Sequence, residues 1–361
     1  MSQNSELRAG ALNLLQDCVG VQNGDHVLFI REHSRYGYYD ETAGNAVEEE
    51  SRGLGANVHT LWTPPIESAE TLPKIVSSAM QHADHTIFFS RIGDQLRFCD
   101  DLGPGTITMT YALDAGFLGS QFCRVPHSLM QDVLSKLQAE LDSAREWHIT
   151  CPLGTDVRGS IDSDAIASGN TGGFTLSLFP VSIFRPIPCR SMSGKVVLNR
   201  WIVGTANRSY EPKQLMLDQP VIAIVEQGHI VDFQGDPKNV VAVRDHYKMV
   251  SQKFDIDGDV VHSWHAGIHP KTFYPQPAET DLERWGGVTF ASPRYLHFHT
   301  CGDYSPGEIA WVVIDASVDF DGTFYWKDGQ FVFLERGDVR VLLPKYSVDE
   351  TAFDMRQDIG I

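Results

Sequence analysis

The chain has 361 residues, of which 42% are hydrophobic and 21% charged, so it can bury a sizeable core and is long enough for two domains. Its 29 basic and 47 acidic residues give a formal net charge of −18, which argues against nucleic acid and anionic membranes as partners. No apolar run reaches the roughly 18 residues of a membrane span, and residues 1–6 lack the features of an export signal, so we expect a cytoplasmic protein.

Helical and extended patterns alternate through the first 150 residues. Apolar residues at spacings of three and four predict an amphipathic helix over Glu6–Val19, which ends at Gly20. Further helices are predicted over Asp40–Leu54, Leu72–His82 and Ser128–Ala144, and strands over Val27–Ile30, Val58–Trp62, Thr86–Phe89, Thr106–Met109 and Trp147–Thr150. Because continuous apolar strands between helices are typical of a parallel sheet covered on both faces, we predict an α/β, Rossmann-like domain over residues 1–150.

The pattern changes after Cys151, where glycine and proline become frequent and short extended runs follow. These runs are Lys195–Val203, Val221–Phe233, Gly287–Ala291, Tyr295–Thr300, Ile309–Ile314, Gln330–Leu334 and Val339–Leu343. One helix is predicted over Pro237–Gln252, and hairpin turns are predicted at Glu226–His229 and Lys327–Gln330. We therefore predict a β-rich domain, a sandwich or barrel, over residues 151–361.

Five of the 14 histidines lie in two short segments of this second half. In a strand, residues i and i+2 project to the same face, so His297 and His299 can direct both imidazoles into one site. A third imidazole from His265 would complete a set of nitrogen ligands that leaves open positions on a metal ion. The sequence therefore predicts a metal-binding site in the β-rich domain.

The other two histidines of these segments have different predicted tasks. His262 precedes His265 by three residues and points differently in an extended segment, so we assign it to proton transfer or to support of a ligand. His269 precedes Pro270, which places it at a turn and makes it a poorer ligand.

Three segments of the chain resemble the aminopeptidase T family of thermophilic metallopeptidases. Cys18–Leu28 is similar to the entry of that family's first strand, Gly154–Val157 to its GTDL segment, and Val221–Gly235 to its glycine-containing hairpin. The resemblance implies a homodimer with a site between two domains, and a pair of metal ions such as zinc or cobalt.

The metal ligands of that family are changed in this chain. Its glutamate ligand falls on His265, its strand histidine on Thr289, and its HxD pair on His297 and His299. A two-metal hydrolase needs several carboxylates, which this ligand set does not supply. Such changes mark a divergent branch similar to 2,5-dihydroxypyridine 5,6-dioxygenase, which opens a hydroxylated ring with O₂ and one non-haem Fe(II).

The resemblance thus implies an Fe(II) dioxygenase for a small hydroxylated aromatic or N-heteroaromatic compound. Its pocket would include Asn170 and Arg91, whose guanidinium can pair with a substrate carboxylate or phenolate. Asp303 or Glu308 would restore a carboxylate ligand; otherwise we read both as solvated loop residues. Two alternatives stay open, a metal-dependent aminopeptidase or amide hydrolase using zinc or another divalent ion, and a non-catalytic binding subunit.

Overall fold

The structure is a computed structural model that describes residues 3–97, 99, 101–161, 175–204 and 209–361. Its strands are β1 (His26–Glu32), β2 (Asn57–Thr63), β3 (His85–Phe89), β4 (Thr106–Thr110), β5 (Glu146–Thr150), β6 (Asp156–Ser160), β7 (Ser177–Phe179), β8 (Ile187–Pro188), β9 (Ser193–Leu198), β10 (Trp201–Val203), β11 (Gln214–Met216), β12 (Val221–Glu226), β13 (His229–Gly235), β14 (Val261–Ala266), β15 (Tyr295–Cys301), β16 (Glu308–Ile314), β17 (Ser317–Phe320) and β18 (Thr323–Trp326).

Among the described residues, most helices lie before residue 142. The α-helices span Gln3–Leu12, Glu41–Gly53, Lys74–Met80, Ile92–Leu96, Ala115–Leu118, Gln121–Arg124, His127–Leu141, Pro237–Phe254, Leu282–Thr289, Gly337–Arg340 and Leu342–Lys345. A π-helical segment spans Asn13–Val19, and 3₁₀ turns span Ser34–Tyr36, Ala69–Thr71, Ala278–Thr280, Val332–Glu335 and Glu350–Phe353. No helix among the described residues is long and apolar enough to cross a membrane.

The chain forms two compact units. The first takes its described residues from Met1–Asp132, Gly173–Ser182 and Leu342–Ala352, and the second takes them from Val133–Gly172, Ile183–Val341 and Phe353–Ile361. Each unit therefore draws on both sides of position 150.

A five-stranded parallel sheet with the order β2-β1-β3-β4-β7 forms the centre of the first unit. Residues 27–32 of β1 and all of β3 are buried, as expected for strands that read as continuous apolar runs. The predicted α/β class of the N-terminal region is confirmed. Its fifth strand is β7, however, whereas β5, which we expected in this sheet, pairs antiparallel with β6 and β17.

Two antiparallel sheets form most of the second unit, which confirms the predicted β-rich class of the C-terminal region. One has six strands in the order β11-β10-β16-β15-β14-β8, and the other has seven in the order β13-β12-β9-β6-β5-β17-β18. The turn predicted between β12 and β13 is also confirmed, with Gln227 and Gly228 at φ values of 47° and 78°. Trp264 of the six-stranded sheet packs against Trp147 and Phe320 of the seven-stranded sheet, with ring centroids 5.5 and 6.0 Å apart.

Three predicted strands of the second half are wrong. The run Gly287–Ala291 belongs to the helix Leu282–Thr289, whose first turn is capped by the Asp281 side chain accepting from the backbone N–H of Arg284. Its apolar residues Trp285 and Val288 are three apart and both fully buried, which is helical spacing within an apolar run. The runs Gln330–Leu334 and Val339–Leu343 likewise form short helical turns.

The predicted helix at Pro237 is confirmed and carries a buried imidazole. Asp236 caps it by accepting from the backbone N–H groups of Lys238 and Asn239. His246 on this helix is 5% exposed, faces the Tyr210 ring at 5.9 Å, and has a pKa that burial lowers to about 4.

His246 should make stability depend on pH. An imidazole that titrates at about 4 when folded and about 6.5 when unfolded stabilises the fold fully above pH 6.5 and loses that contribution as the pH falls toward 4. Relative to His246→Gln, we expect the wild type to lose about 2 kcal/mol more unfolding free energy between pH 7 and pH 5. Urea denaturation at both pH values measures this, with the exposed His229→Gln as control. Equal pH dependence of the wild type and His246→Gln would contradict the prediction.

Candidate metal centre

Strand pairing brings three histidines to one face of the six-stranded sheet. His265 of β14 lies directly opposite His297 of β15, and His299 follows two residues later on the same strand. Because side chains alternate between the faces of a strand and face their cross-strand partners, all three imidazoles project to the same side. We call His265, His297 and His299 the histidine triad, and the side of the sheet that carries them the triad face.

The imidazoles of the triad are close and buried. Their potential ligand atoms, one from each ring, all lie within 4.8 Å of one another. The ring centroids are 3.9 Å apart for His265 and His297, 5.1 Å for His265 and His299, and 4.9 Å for His297 and His299. Relative exposures are 3%, 1% and 6% for His265, His297 and His299. Among the described residues, this is the cluster of His, Cys, Asp and Glu with metal-ligand spacing.

The neighbours of the triad in sequence explain its orientation. Trp264 and Phe298 alternate with the histidines along β14 and β15, pair with each other in register, and point to the opposite face. There Trp264 is fully buried against the seven-stranded sheet, and Phe298 lies 6.0 Å from the Trp311 ring. Since that face holds the large apolar side chains, a one-residue shift would bury the imidazoles in their place, so the register is strongly fixed.

Aromatic rings surround the triad. Phe184 meets the His265 ring edge-on at 6.3 Å, Tyr295 lies 5.4 Å from the His297 ring, and Tyr304 lies 6.3 Å from the His299 ring. Burial, and to a smaller extent the Glu308 carboxylate, raise the pKa of Tyr295, so this phenol stays protonated near neutral pH.

Glu308 is not the solvated loop residue that we expected. It begins β16, pairs in register with Cys301, and is 1% exposed. Its Oε1 lies 2.9 Å from Nδ1 of His299. The position of Glu308 on the triad face of β16 explains its burial. A single glutamate before an apolar run gives no indication in the sequence that its side chain is buried.

Asp303 lies in the turn between β15 and β16 and is partly exposed. Burial raises the pKa of its carboxyl group, while the imidazoles of His262 and His299 act in the opposite direction. Both carboxyl groups therefore lie near His299; that of Glu308 is the more deeply buried, and Asp303 is partly exposed.

His262 lies at an irregularity of β14, where the pairing with β15 shifts between Val261 and Ser263. Its Nε2 is 2.8 Å from the carbonyl oxygen of Cys301. Because a carbonyl only accepts, Nε2 carries a proton in this contact and Nδ1 of a neutral ring is left as an acceptor. His269 is fully buried, and its Nδ1 accepts from the backbone N–H of Lys271.

Ser263 is a residue of this face that the sequence argument did not single out. It pairs in register with His299, lies two residues before His265, and is 6% exposed. Among the described residues, no group hydrogen-bonds to its buried hydroxyl. A buried hydroxyl without a partner costs roughly 1–3 kcal/mol, so it is a natural contact for a bound molecule.

Arg91 lies in the first unit, at the carboxyl edge of the parallel sheet. β2 and β3 lie on opposite sides of β1, so the chain order reverses at β1. Glu32 ends β1, and Arg91 follows the end of β3 by two residues. The guanidinium donates to Glu32 from Nε at 3.1 Å and from Nη2 at 2.5 Å, and both side chains are buried. The substrate contact predicted for Arg91 stays a prediction. Asn170, the other predicted pocket residue, lies outside the described residues.

The donor set of the triad fits a divalent transition metal. Three imidazole nitrogens suit iron, zinc, copper or nickel better than magnesium or calcium, which prefer oxygen. Among the described residues, nothing hydrogen-bonds to Nε2 of His299 although that atom is buried. A buried nitrogen without a hydrogen-bond partner gains a partner when it binds a metal ion.

A parallel α/β sheet and two antiparallel sheets, one of which carries a histidine cluster, define the architecture. No protein-family model and no curated protein sequence matches the chain. Among solved structures, 2,5-dihydroxypyridine dioxygenase from Pseudomonas putida KT2440 aligns over 91% of this chain and 97% of its own, with a TM-score of 0.60 and 15% identity. That similarity shows a shared fold. A ureidoglycine–glyoxylate aminotransferase from Bacillus subtilis aligns over 33% of this chain and 31% of its own, with 14% identity and a TM-score of only 0.19.

Proposed function

We propose that this chain is a mononuclear non-haem Fe(II) dioxygenase acting on a small hydroxylated aromatic or N-heteroaromatic compound. The observation that carries the proposal is the buried histidine triad, whose ligand atoms lie within 4.8 Å of one another. The shared fold with a 2,5-dihydroxypyridine dioxygenase supports the choice of reaction. We also propose a homodimer, which light scattering of the purified chain would test.

The triad residues His265, His297 and His299 would hold the iron. When bound, Fe(II) supplies open coordination positions and the electrons that allow O₂ to react with a closed-shell ring. Three neutral imidazoles bring no negative charge to the ion as ligands, so the site favours an anionic substrate such as a phenolate. This ligand set gives no support to a two-metal hydrolase, which needs carboxylates to bridge its ions.

Three further groups would bind and orient the substrate. The buried Ser263 hydroxyl can hydrogen-bond to a ring oxygen, and Phe184 and Tyr295 supply aromatic surface beside the triad. Nε2–H of His262 donates to the carbonyl oxygen of Cys301, so Nδ1 of this ring can accept a proton from the substrate. Both atoms of O₂ would enter the ring-opened product, so no external reductant is consumed.

Oxygen consumption tests the proposal directly. Protein purified without air and loaded with Fe(II) should consume one O₂ per ring opened with at least one member of a panel of hydroxypyridines, catechols and gentisate-type acids. No O₂ uptake with any member would overturn the dioxygenase assignment. Release of amine from aminoacyl substrates by zinc- or cobalt-loaded protein under argon would indicate the hydrolase, and metal far below one per chain a binding subunit.

A further inference from the structure

Glu308 makes a close contact with the triad. Its register partner is Cys301, so its side chain lies on the triad face and diagonal to His299. The carboxylate is almost completely buried, and its Oε1 approaches Nδ1 of His299 to 2.9 Å. The two atoms do not form a regular hydrogen bond in this arrangement, so the contact is a close polar contact between two buried groups.

The proton in this contact determines which nitrogen of His299 can bind a metal. A carboxylate oxygen and a bare imidazole nitrogen are both acceptors, so a separation of 2.9 Å is favourable only with a proton between them. With that proton on Nδ1, the lone pair of the ring lies on Nε2. Nε2 is a buried atom without a hydrogen-bond partner among the described residues. Nδ1 of His299 and Oε1 of Glu308 also lack a regular hydrogen bond there, but they face each other at 2.9 Å, which leaves Nε2 as the nitrogen without a polar neighbour of this kind.

Glu308 is outside the set of ligand atoms. Among the described residues, the group with mutual ligand spacing consists of the three histidines and does not include Glu308. Glu308 therefore reaches the proposed ion through the His299 ring. Metal-binding histidines commonly donate their other N–H to a carboxylate, which fixes the ring and makes it a better ligand.

We infer that Glu308 is a positioning residue that holds Nδ1–H of His299, presents Nε2 to the metal, and provides the negative charge that the three neutral ligands lack. The inference rests on the proposed function, because this task exists only if the triad binds a metal. The His299 ring would lie between the Glu308 carboxylate and the ion. In that position the carboxylate partly compensates the charge of the ion and leaves the open coordination positions to substrate and O₂.

Cobalt affinity of the full chain tests this inference without turnover. We expect Glu308→Gln to bind Co²⁺ about 10-fold more weakly than the wild type, and Glu308→Ala about 10- to 100-fold more weakly. The Co²⁺ absorption bands should keep their positions, because the ligands are unchanged. The control is Asp319→Asn, which removes a carboxylate 3.3 Å from Nδ1 of His148 on the seven-stranded sheet and should leave the affinity within twofold.

The outcomes separate this inference from the proposed function. Glu308→Gln is nearly isosteric, so it decides the matter if Glu308→Ala fails to fold, as circular dichroism would reveal. Wild-type affinity in both folded variants would overturn the inference. Loss as complete as in His299→Ala, with shifted Co²⁺ bands, would also overturn it by making Glu308 a ligand. The expected affinity losses in a chain that consumes no O₂ would support the inference and overturn the dioxygenase assignment.

Discussion

Replacing His297 with alanine should weaken metal binding by a factor on the order of 100 to 1,000. A structural zinc site with four ligands contributes roughly 10–16 kcal/mol, or about 3 kcal/mol for each ligand, and the triad would lose one of its three. His297 lies opposite His265 and beside His299 in space, so its removal leaves two imidazoles to hold the ion. Equilibrium dialysis with Zn²⁺ or Co²⁺ measures the loss.

Two controls make the result specific to the triad. His148→Ala removes an imidazole from the seven-stranded sheet, where it pairs with Asp156 and Asp319, and should bind metal like the wild type. Metal that binds the native state should raise the melting temperature of the wild type and of His148→Ala but not of His297→Ala. One ion per chain with unchanged affinity in His297→Ala would show that the metal binds elsewhere.

Arg91→Ala should destabilise the first unit by about 3–5 kcal/mol, because it leaves the fully buried Glu32 carboxylate without its charge partner. The pair lies where the neighbouring parallel strands β1 and β3 end, so water cannot easily replace the guanidinium. Urea denaturation followed by circular dichroism measures the loss.

Two further variants separate charge burial from other causes. In Glu32→Gln/Arg91→Met both charges are gone, so most of the lost stability should return. Lys238→Ala breaks an exposed pair with Asp218 and should leave stability close to that of the wild type. If Arg91→Ala instead keeps wild-type stability and weakens substrate binding, Arg91 has the substrate contact predicted from the sequence.

Local patterns were sufficient to predict most of the parallel strands of the first unit and the three histidines of the candidate site. Apolar runs between helices predict the parallel strands because burial on both faces requires them, and the HxH spacing places two imidazoles on one side of β15. The helix at Pro237 is equally local, since the capping Asp236 and the proline that follows it mark its start. The misread run Gly287–Ala291 shows the limit, because short apolar stretches fit a strand and a helix alike.

Residue types and spacing alone determined the α/β and β-rich classes of the two regions and nominated the histidines. Only the tertiary structure decided that His265 lies across from His297, that β5 joins the antiparallel sheet, and that Glu308 is buried against His299. The physical reason is that pairing between distant strands depends on which faces the whole unit buries. Burial of Trp264 and Phe298 on the opposite side of the sheet fixes which face carries the histidines. Their packing partners are distant in the sequence, so no short stretch of it contains them.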